Sequence, residues 1–271
     1  MSTEHFFGEI KSLSYSFESI SLKEMDNVKL MDRMDVKYVI PLQLVPQILA
    51  DARDNYRILE INNKRLCDYE TLYYDTSDLQ LYNSHLLGRT NRYKIRSRKY
   101  VASDLKFFEI KFKTNKGRTI KTRIKREEIG SEIDLASAEF LEKSTPLLPY
   151  SLAGIMWVDY TRLTLVNKHS PERITIDLKL TFRNNATQKS YPEIVIAEIK
   201  QEKITGSPFI DIMKKYNLRQ GSISKYCFGI ISLFEDIKHN RFKPKLHRLN
   251  KLINQYDFAP GNNHNRPVTV V

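Results

Sequence analysis

Between residues 57 and 126 the sequence repeats with a period of two, which puts successive side chains on opposite faces of extended strands. Thr71-Leu72-Tyr73-Tyr74-Asp75, Tyr93-Lys94-Ile95-Arg96-Ser97-Arg98, Phe108-Glu109-Ile110-Lys111-Phe112-Lys113 and Ile120-Lys121-Thr122-Arg123-Ile124-Lys125 alternate in this way and are rich in aromatic and β-branched residues. Asn115-Lys116-Gly117 joins the last two with turn chemistry, so they form a hairpin. After a helical stretch expected over 134–143 and ended by Pro146 and Pro149, the alternation returns at 159–165, 173–180 and 193–200. At least seven strands and few helices favour an α+β fold built on a closed or nearly closed antiparallel β-barrel with flanking helices, because closure removes exposed strand edges.

Parity sorts each strand into two sets, and one set is apolar. The other holds Lys94, Arg96 and Arg98, then Glu109, Lys111 and Lys113, then Lys121, Arg123 and Lys125. Later strands add Arg162, then Arg173, Asp177 and Lys179, then Glu198 and Lys200. A solvated outer face is the ordinary reading of an alternating strand. Like charges directly opposite on neighbouring strands repel, however, and the first three strands carry eight cations and one carboxylate on a shared parity. Such a face is relieved by an anion lying against it. The composition agrees: 44 Lys and Arg against 32 Asp and Glu give a net charge of +12.

The anion is narrowed by what is missing. Neither a Gly-x-x-x-x-Gly-Lys-[Ser/Thr] nor a Gly-x-Gly-x-x-Gly pattern occurs among the nine glycines, so side chains rather than a backbone cradle must do the neutralising. Arg forks and Lys point charges suit a chain of phosphates. Hard carboxylates among them, Glu198, Asp177 and Glu109, suit Mg²⁺ or Mn²⁺, although a salt bridge is the simpler role for Asp177 and Glu109. No specific nucleic-acid partner is expected, since zinc-finger spacing, an RNP-type motif and a long basic tail are all absent. The six histidines form no His-Glu-x-x-His pair, and Gly-x-Ser-x-Gly does not occur. Cys67 and Cys227 read as buried structural thiols. No apolar run approaches the roughly 20 residues of a spanning helix, and the first residues lack the pattern of a signal peptide, so a cytoplasmic protein without a transmembrane segment is expected.

Loosely helical spacing predicts a helix over 6–30, and Pro41 opens a second over 41–54. Helices are expected again at 208–217 and 222–254. This divides the chain into an N-terminal helical segment at 1–30, a main domain at 31–256, and a tail at 257–271 expected to be disordered.

The order of the pieces carries a resemblance. Asp35-Val36-Lys37-Tyr38, Leu72-Tyr73-Tyr74-Asp75-Thr76, Tyr93-Lys94-Ile95-Arg96-Ser97-Arg98, Glu109-Ile110-Lys111, Tyr160-Thr161-Arg162, Arg173-Ile174-Thr175-Ile176-Asp177, Ala197-Glu198-Ile199-Lys200 and Ser224-Lys225-Tyr226 resemble, in sequence, the motifs of the VTC domain. That is the polyphosphate polymerase domain of the vacuolar transporter chaperone complex, within the triphosphate tunnel metalloenzymes. The resemblance implies a β-barrel tunnel that uses Mn²⁺ or Mg²⁺ to move the terminal phosphoryl group of ATP onto a growing inorganic polyphosphate chain. It implies phosphate-binding roles for Lys37, Arg96, Arg98, Lys111, Lys121, Arg162, Arg173 and Lys225, metal ligation by Glu198, and substrate contacts from Tyr160, Ser224, Lys200 and His85. His85 stands where the fungal domain has an arginine, with Arg89 and Arg92 nearby as substitutes.

Two rival functions remain. One is a metal-dependent triphosphatase or polyphosphatase in the same tunnel, and the other is a non-enzymatic binder of polyphosphate or nucleic acid. The superfamily's hydrolases and cyclases carry Glu-x-Glu-x-Lys on their first strand. Here Arg33-Met34-Asp35-Val36-Lys37 has one fewer acid, which favours transfer over hydrolysis. No feature names a protein partner.

Overall fold

The structure is a computed structural model that describes residues 2–26, 34–201, 206–221 and 223–256. Helix α1 (Thr3–Ser14), strand β1 (Ser19–Ile20) and α2 (Leu22–Asp26) are followed by β2 (Met34–Pro41), α3 (Val45–Ala52), β3 (Tyr56–Leu59) and β4 (Leu66–Asp75). Next come α4 (Gln80–Leu86), β5 (Arg92–Tyr100), β6 (Leu105–Lys113), β7 (Thr119–Arg126), α5 (Leu135–Ser144) and β8 (Ala153–Asn167). The chain continues through β9 (Glu172–Arg183), β10 (Gln188–Tyr191), β11 (Ile194–Gln201), α6 (Pro208–Lys215), α7 (Lys225–Leu233) and α8 (Lys243–Tyr256).

The main path of the sheet runs β2-β11-β9-β8-β4-β5-β6-β7, and every neighbouring pair along it is antiparallel. A mostly antiparallel sheet with flanking helices is what the alternation predicts. The expected closure into a barrel is not found: among the described residues β2 and β7 end the path and no ladder joins them. The two edges are protected separately. A bridge from Tyr38 to Gln220 covers β2, while β7 exposes most of its length and carries Lys121, Arg123 and Lys125, charges that discourage edge pairing.

The sheet is nevertheless strongly curled. Glu198 on β11 acts electrostatically on Lys111 of β6, five strand steps away along the path. On a flat sheet at about 4.8 Å per step those residues would be about 24 Å apart, well beyond a Debye length. Curling gives a convex and a concave face, and the apolar parity sets cover the convex one. Leu163, Leu165, Ile174, Ile176, Val195 and Ile199 pack there against α1, α3 and α6 through Ile10, Ile48, Leu49 and Phe209. Ile95, Phe108 and Ile110 pack against Leu141 of α5. On the concave face α7 buries Tyr226, Phe228 and Ile230 against Val158, Leu180, Phe182 and Ile196. That plugs one end of the concavity with apolar side chains and leaves the other end to charged ones.

Several local departures from the sequence pattern have identifiable causes. The helix expected over 6–30 is broken: Ser21 and Glu24 form a capping box (Ser21 N to Glu24 Oε2 2.9 Å) that starts α2 afresh, and residues 27–30 lie outside the described residues. The helix expected over 41–54 opens with a 3-10 turn before α3. That over 222–254 is two helices, α7 begun by Ser224 as N-cap, with Asp236 at φ 53° between them. Helix α4, hidden among the aromatic residues after Tyr69, is nucleated by the Asp75 carboxylate, which accepts from the amides of Thr76, Leu81 and Tyr82 at 2.8, 2.8 and 3.0 Å. Lys179 leaves the charged face: at φ 53° it sits at an irregularity in the β8–β9 pairing and lies 4.6 Å over the Phe7 ring instead. The tail at 257–271 lies outside the described residues.

Candidate functional site

Strand register lays the concave side chains in rows. Lys94, Lys111 and Lys121 stand directly opposite one another on β5, β6 and β7, and the adjoining row is Tyr73, Arg96, Glu109 and Arg123. On the other wall Asp35, Lys200 and Arg173 form one row, Lys37, Glu198, Thr175 and Thr164 the next, and Asp177 faces Arg162 in a third.

Two of the four carboxylates are held in close ion pairs. Glu109 is buried and accepts from Arg96 at 2.6 and 2.8 Å, with Lys121 at 2.5 Å. Asp177 is buried and accepts from Arg162 at 2.6 and 2.8 Å and from Lys225 at 2.5 Å. Burial works to raise both acids, but the cations outweigh it and hold both well below the usual carboxylate range. Glu198 is held more loosely, with Lys37 at 3.3 Å and Lys200 at 3.5 Å. Burial opposes its ionisation too, and Lys200 and Lys37 overcome that.

The lysines have the reverse problem. Lys111 makes no ion pair within 4.0 Å among the described residues, and the Arg96 charge, followed by burial, holds its ammonium well below the ordinary range. Burial likewise brings Lys200 down to about 8. Arg98 donates to Thr71 Oγ1 at 3.2 Å and lies over the Tyr69 and Tyr160 rings at 5.7 and 5.9 Å. Those rings stack on each other at 5.2 Å and also carry Arg162, while Lys225 sits 4.9 Å over Tyr160. The buried Tyr160 hydroxyl has no hydrogen-bond partner among the described residues. Ser224 caps α7 through the Cys227 amide at 3.3 Å and accepts from Lys94 Nζ at 2.9 Å, so the positive end of that helix meets the lysine row.

A concave, cation-rich face of this kind fits a phosphate chain, and a family model agrees: the VTC domain matches residues 32–234. The chain belongs to the VTC domain family. No curated protein matches it. Among solved structures it is similar to an adenylate cyclase-like protein from Bacillus halodurans, at 14% identity over 72% of this chain and 96% of that one, with a TM-score of 0.46. A similar protein from Vibrio parahaemolyticus shares 11% identity over 72% and 96%, with a TM-score of 0.43. An adenylyl cyclase-like protein from Hippeastrum, described as having a dominant triphosphatase activity, shares 13% identity over 77% and 100%, with a TM-score of 0.44.

Within this VTC domain, strand register and the N-terminus of α7 bring together Lys37, Arg96, Arg98, Lys111, Lys121, Tyr160, Arg162, Arg173, Glu198, Lys200, Ser224 and Lys225. His85 stands apart. Its Nδ1 accepts from Arg92 Nε at 3.0 Å and its Nε2 lies 3.1 Å from the Tyr93 carbonyl, so neither ring nitrogen is open to a phosphate oxygen. Burial first, then the Lys94 charge, push the His85 imidazole down to about 3, which keeps it neutral. Lys94, which parity had placed on the charged face, and Asp35, the acid of the first-strand motif, join the site although neither was given a substrate or metal role from sequence.

Asp35 matters for a cation. It shares Lys37 with Glu198, at 4.0 and 3.3 Å from Nζ, and burial, followed by the Glu198 charge, raises its carboxyl above the ordinary range. Two acids held that close are relieved when a divalent cation replaces the proton between them. Among the described residues no cluster of three or more metal-ligating side chains occurs. A pair of hard oxygens beside a phosphate site nonetheless fits Mg²⁺ or Mn²⁺, which use one or two carboxylates together with substrate phosphates.

Proposed function

We propose that this VTC domain is an ATP-dependent polyphosphate polymerase. The observation that carries the reading is the row Lys94, Lys111 and Lys121, three lysines directly opposite one another, the middle one with no carboxylate within 4.0 Å among the described residues. A bound chain of phosphates supplies that missing charge along the row. Arg96 and Arg162 spend their forks on Glu109 and Asp177, so they and Arg98 add their charge and their remaining N–H groups, which help hold two phosphate segments in a single line.

Transfer then needs little covalent work from the protein. An oxygen of the terminal phosphate of polyphosphate forms a bond to the γ-phosphorus of ATP, the bond from that phosphorus to the bridging oxygen breaks, and ADP leaves with the electron pair. The attacking oxygen belongs to a phosphate whose second pKa is about 6, so no general base is required near neutral pH. Asp35 and Glu198 would hold Mn²⁺ or Mg²⁺, which when bound offsets charge on the reacting phosphates. Transfer is direct, because neither nearby serine is activated: Ser97 Oγ lies 3.1 Å from Tyr74 Oη, and Ser224 Oγ takes the Cys227 amide and Lys94. The two buried thiols and ATP as donor fit a cytoplasmic enzyme. No helix among the described residues is long and apolar enough to cross a membrane.

Incubation with γ-labelled ATP and a polyphosphate primer, followed by acid quench, tests this. Label is expected on the primer and none on the protein. Label released entirely as free phosphate would favour the hydrolase instead, and label fixed to a side chain would overturn direct transfer.

A further inference from the structure

We propose that Thr175 is a ligand-binding residue of this site, its hydroxyl being the neutral oxygen that joins the Glu198 carboxylate in holding the divalent cation of a metal–triphosphate substrate; this rests on the polymerase reading above. Thr175 faces the concavity from β9, while its neighbours Ile174 and Ile176 belong to the convex core. Only 4% of the residue is exposed, and its Oγ1 is buried with no hydrogen-bond partner among the described residues. A valine would fill the same space without that cost.

Its position says what the hydroxyl is for. Thr175 stands directly opposite Glu198 in the row Lys37, Glu198, Thr175 and Thr164, and cross-strand partners have Cβ atoms about 5 Å apart. The hydroxyl is therefore beside the carboxylate without being bonded to it. A third hard oxygen, that of Asp35, stands diagonally across from the same carboxylate, both acids lying within 4.0 Å of Lys37 Nζ. The rows on either side carry the cations, Lys200 and Arg173 on one and Arg162 on the other. Phosphate oxygens belong against those rows and would be repelled by Glu198, whereas a divalent cation belongs between Glu198 and Thr175, across the carboxylate from Lys37 in the same row.

The test compares Thr175→Val and Thr175→Ser with the wild type. Mn²⁺ is titrated by electron paramagnetic resonance in the presence of a non-hydrolysable imido analogue of ATP, and tripolyphosphate affinity is measured separately in EDTA. Thr175→Val should raise the half-saturating Mn²⁺ concentration at least about tenfold, since losing even a partner that only orients a metal ligand costs about 10–100-fold. Thr175→Ser should restore it, and metal-free tripolyphosphate should bind all three proteins equally. The proposal is overturned if the Val variant titrates like the wild type, if it loses tripolyphosphate affinity in EDTA, or if the wild type shows no Mn²⁺ dependence. A Val variant that melts below the wild type in EDTA also counts against it, since the hydroxyl would then have a partner. Failure of the polymerase reading shows elsewhere, as absence of labelled polyphosphate from ATP, and leaves this titration intact.

Discussion

Replacing Glu109 with Gln separates the two roles of the concave charges. In the protein without substrate, Glu109 is the counter-ion of Arg96 and Lys121, and both Glu109 and Arg96 are buried, at 0% and 5% exposure. Removing one partner of a buried pair costs about 3–5 kcal/mol, and Gln, which keeps one acceptor, should fall near about 3 kcal/mol. For a domain of this size each kcal/mol moves Tm by roughly 2–4 °C, so Glu109→Gln should melt roughly 6–12 °C lower. A polyanion reverses the order of need. The variant's pocket carries one more net positive charge, so tripolyphosphate should bind it more tightly, and an anion at about 100 times its Kd returns about 2.7 kcal/mol. Differential scanning fluorimetry with and without tripolyphosphate reads both effects. The reasoning fails if the variant melts at or above the wild type without anion, or if tripolyphosphate raises both proteins equally. The pH dependence has a definite sign. Burial raises the Glu109 carboxyl, but Arg96, Arg98 and Lys121 outweigh it and depress it below its ordinary 4.5. Its contribution is complete above about pH 4.5 and is lost as pH falls toward the folded-state value, so the Tm gap between the two proteins should narrow in acid.

Other substitutions report on neighbouring parts of the site. Glu198→Gln should lower turnover on the order of 10²-fold with Mn²⁺ limiting, while changing Tm little because its ion pairs are long; wild-type turnover would remove Glu198 from metal binding. Lys111→Met should raise Tm without ligand, by relieving repulsion with Arg96 and Arg98 and the cost of burying the ammonium, and weaken tripolyphosphate binding at least about tenfold; a variant that is both less stable and equally tight would contradict the row's role. Because Lys200 titrates at about 8, tripolyphosphate affinity should fall as pH rises through that value, and Lys200→Arg, charged throughout, should flatten the profile in isothermal titration.

What the sequence carries and what it hides follow from range. Alternation is a local property, so the strands around Arg96, Glu109 and Lys121 and the face they share were readable from neighbours two residues apart. The Asp134 N-cap of α5 was local too, its carboxylate accepting from the Ser137 amide at 3.0 Å. The open sheet was not readable, because whether β7 meets β2 depends on total curl rather than on any one segment. Lys179 was misplaced because a single residue in the left-handed region resets parity for the rest of its strand, and no glycine marks the spot. Asp35 stands out in its own segment as the one acid of the first-strand motif, but its place beside Glu198 and the meaning of Thr175 come only from pairing, which sets Glu198 beside them from a distant part of the chain. His85 shows the converse: a sequence alignment offers it to substrate, and Arg92 and the Tyr93 carbonyl engage both of its nitrogens.

The central claim is that this concave face builds polyphosphate from ATP. Purified protein incubated with ATP and Mn²⁺, with the products resolved on a polyacrylamide gel and stained for phosphate polymers, tests it most directly. A ladder of lengthening chains, together with stoichiometric ADP, is the predicted result; free phosphate without chains, or unchanged ATP, would contradict it.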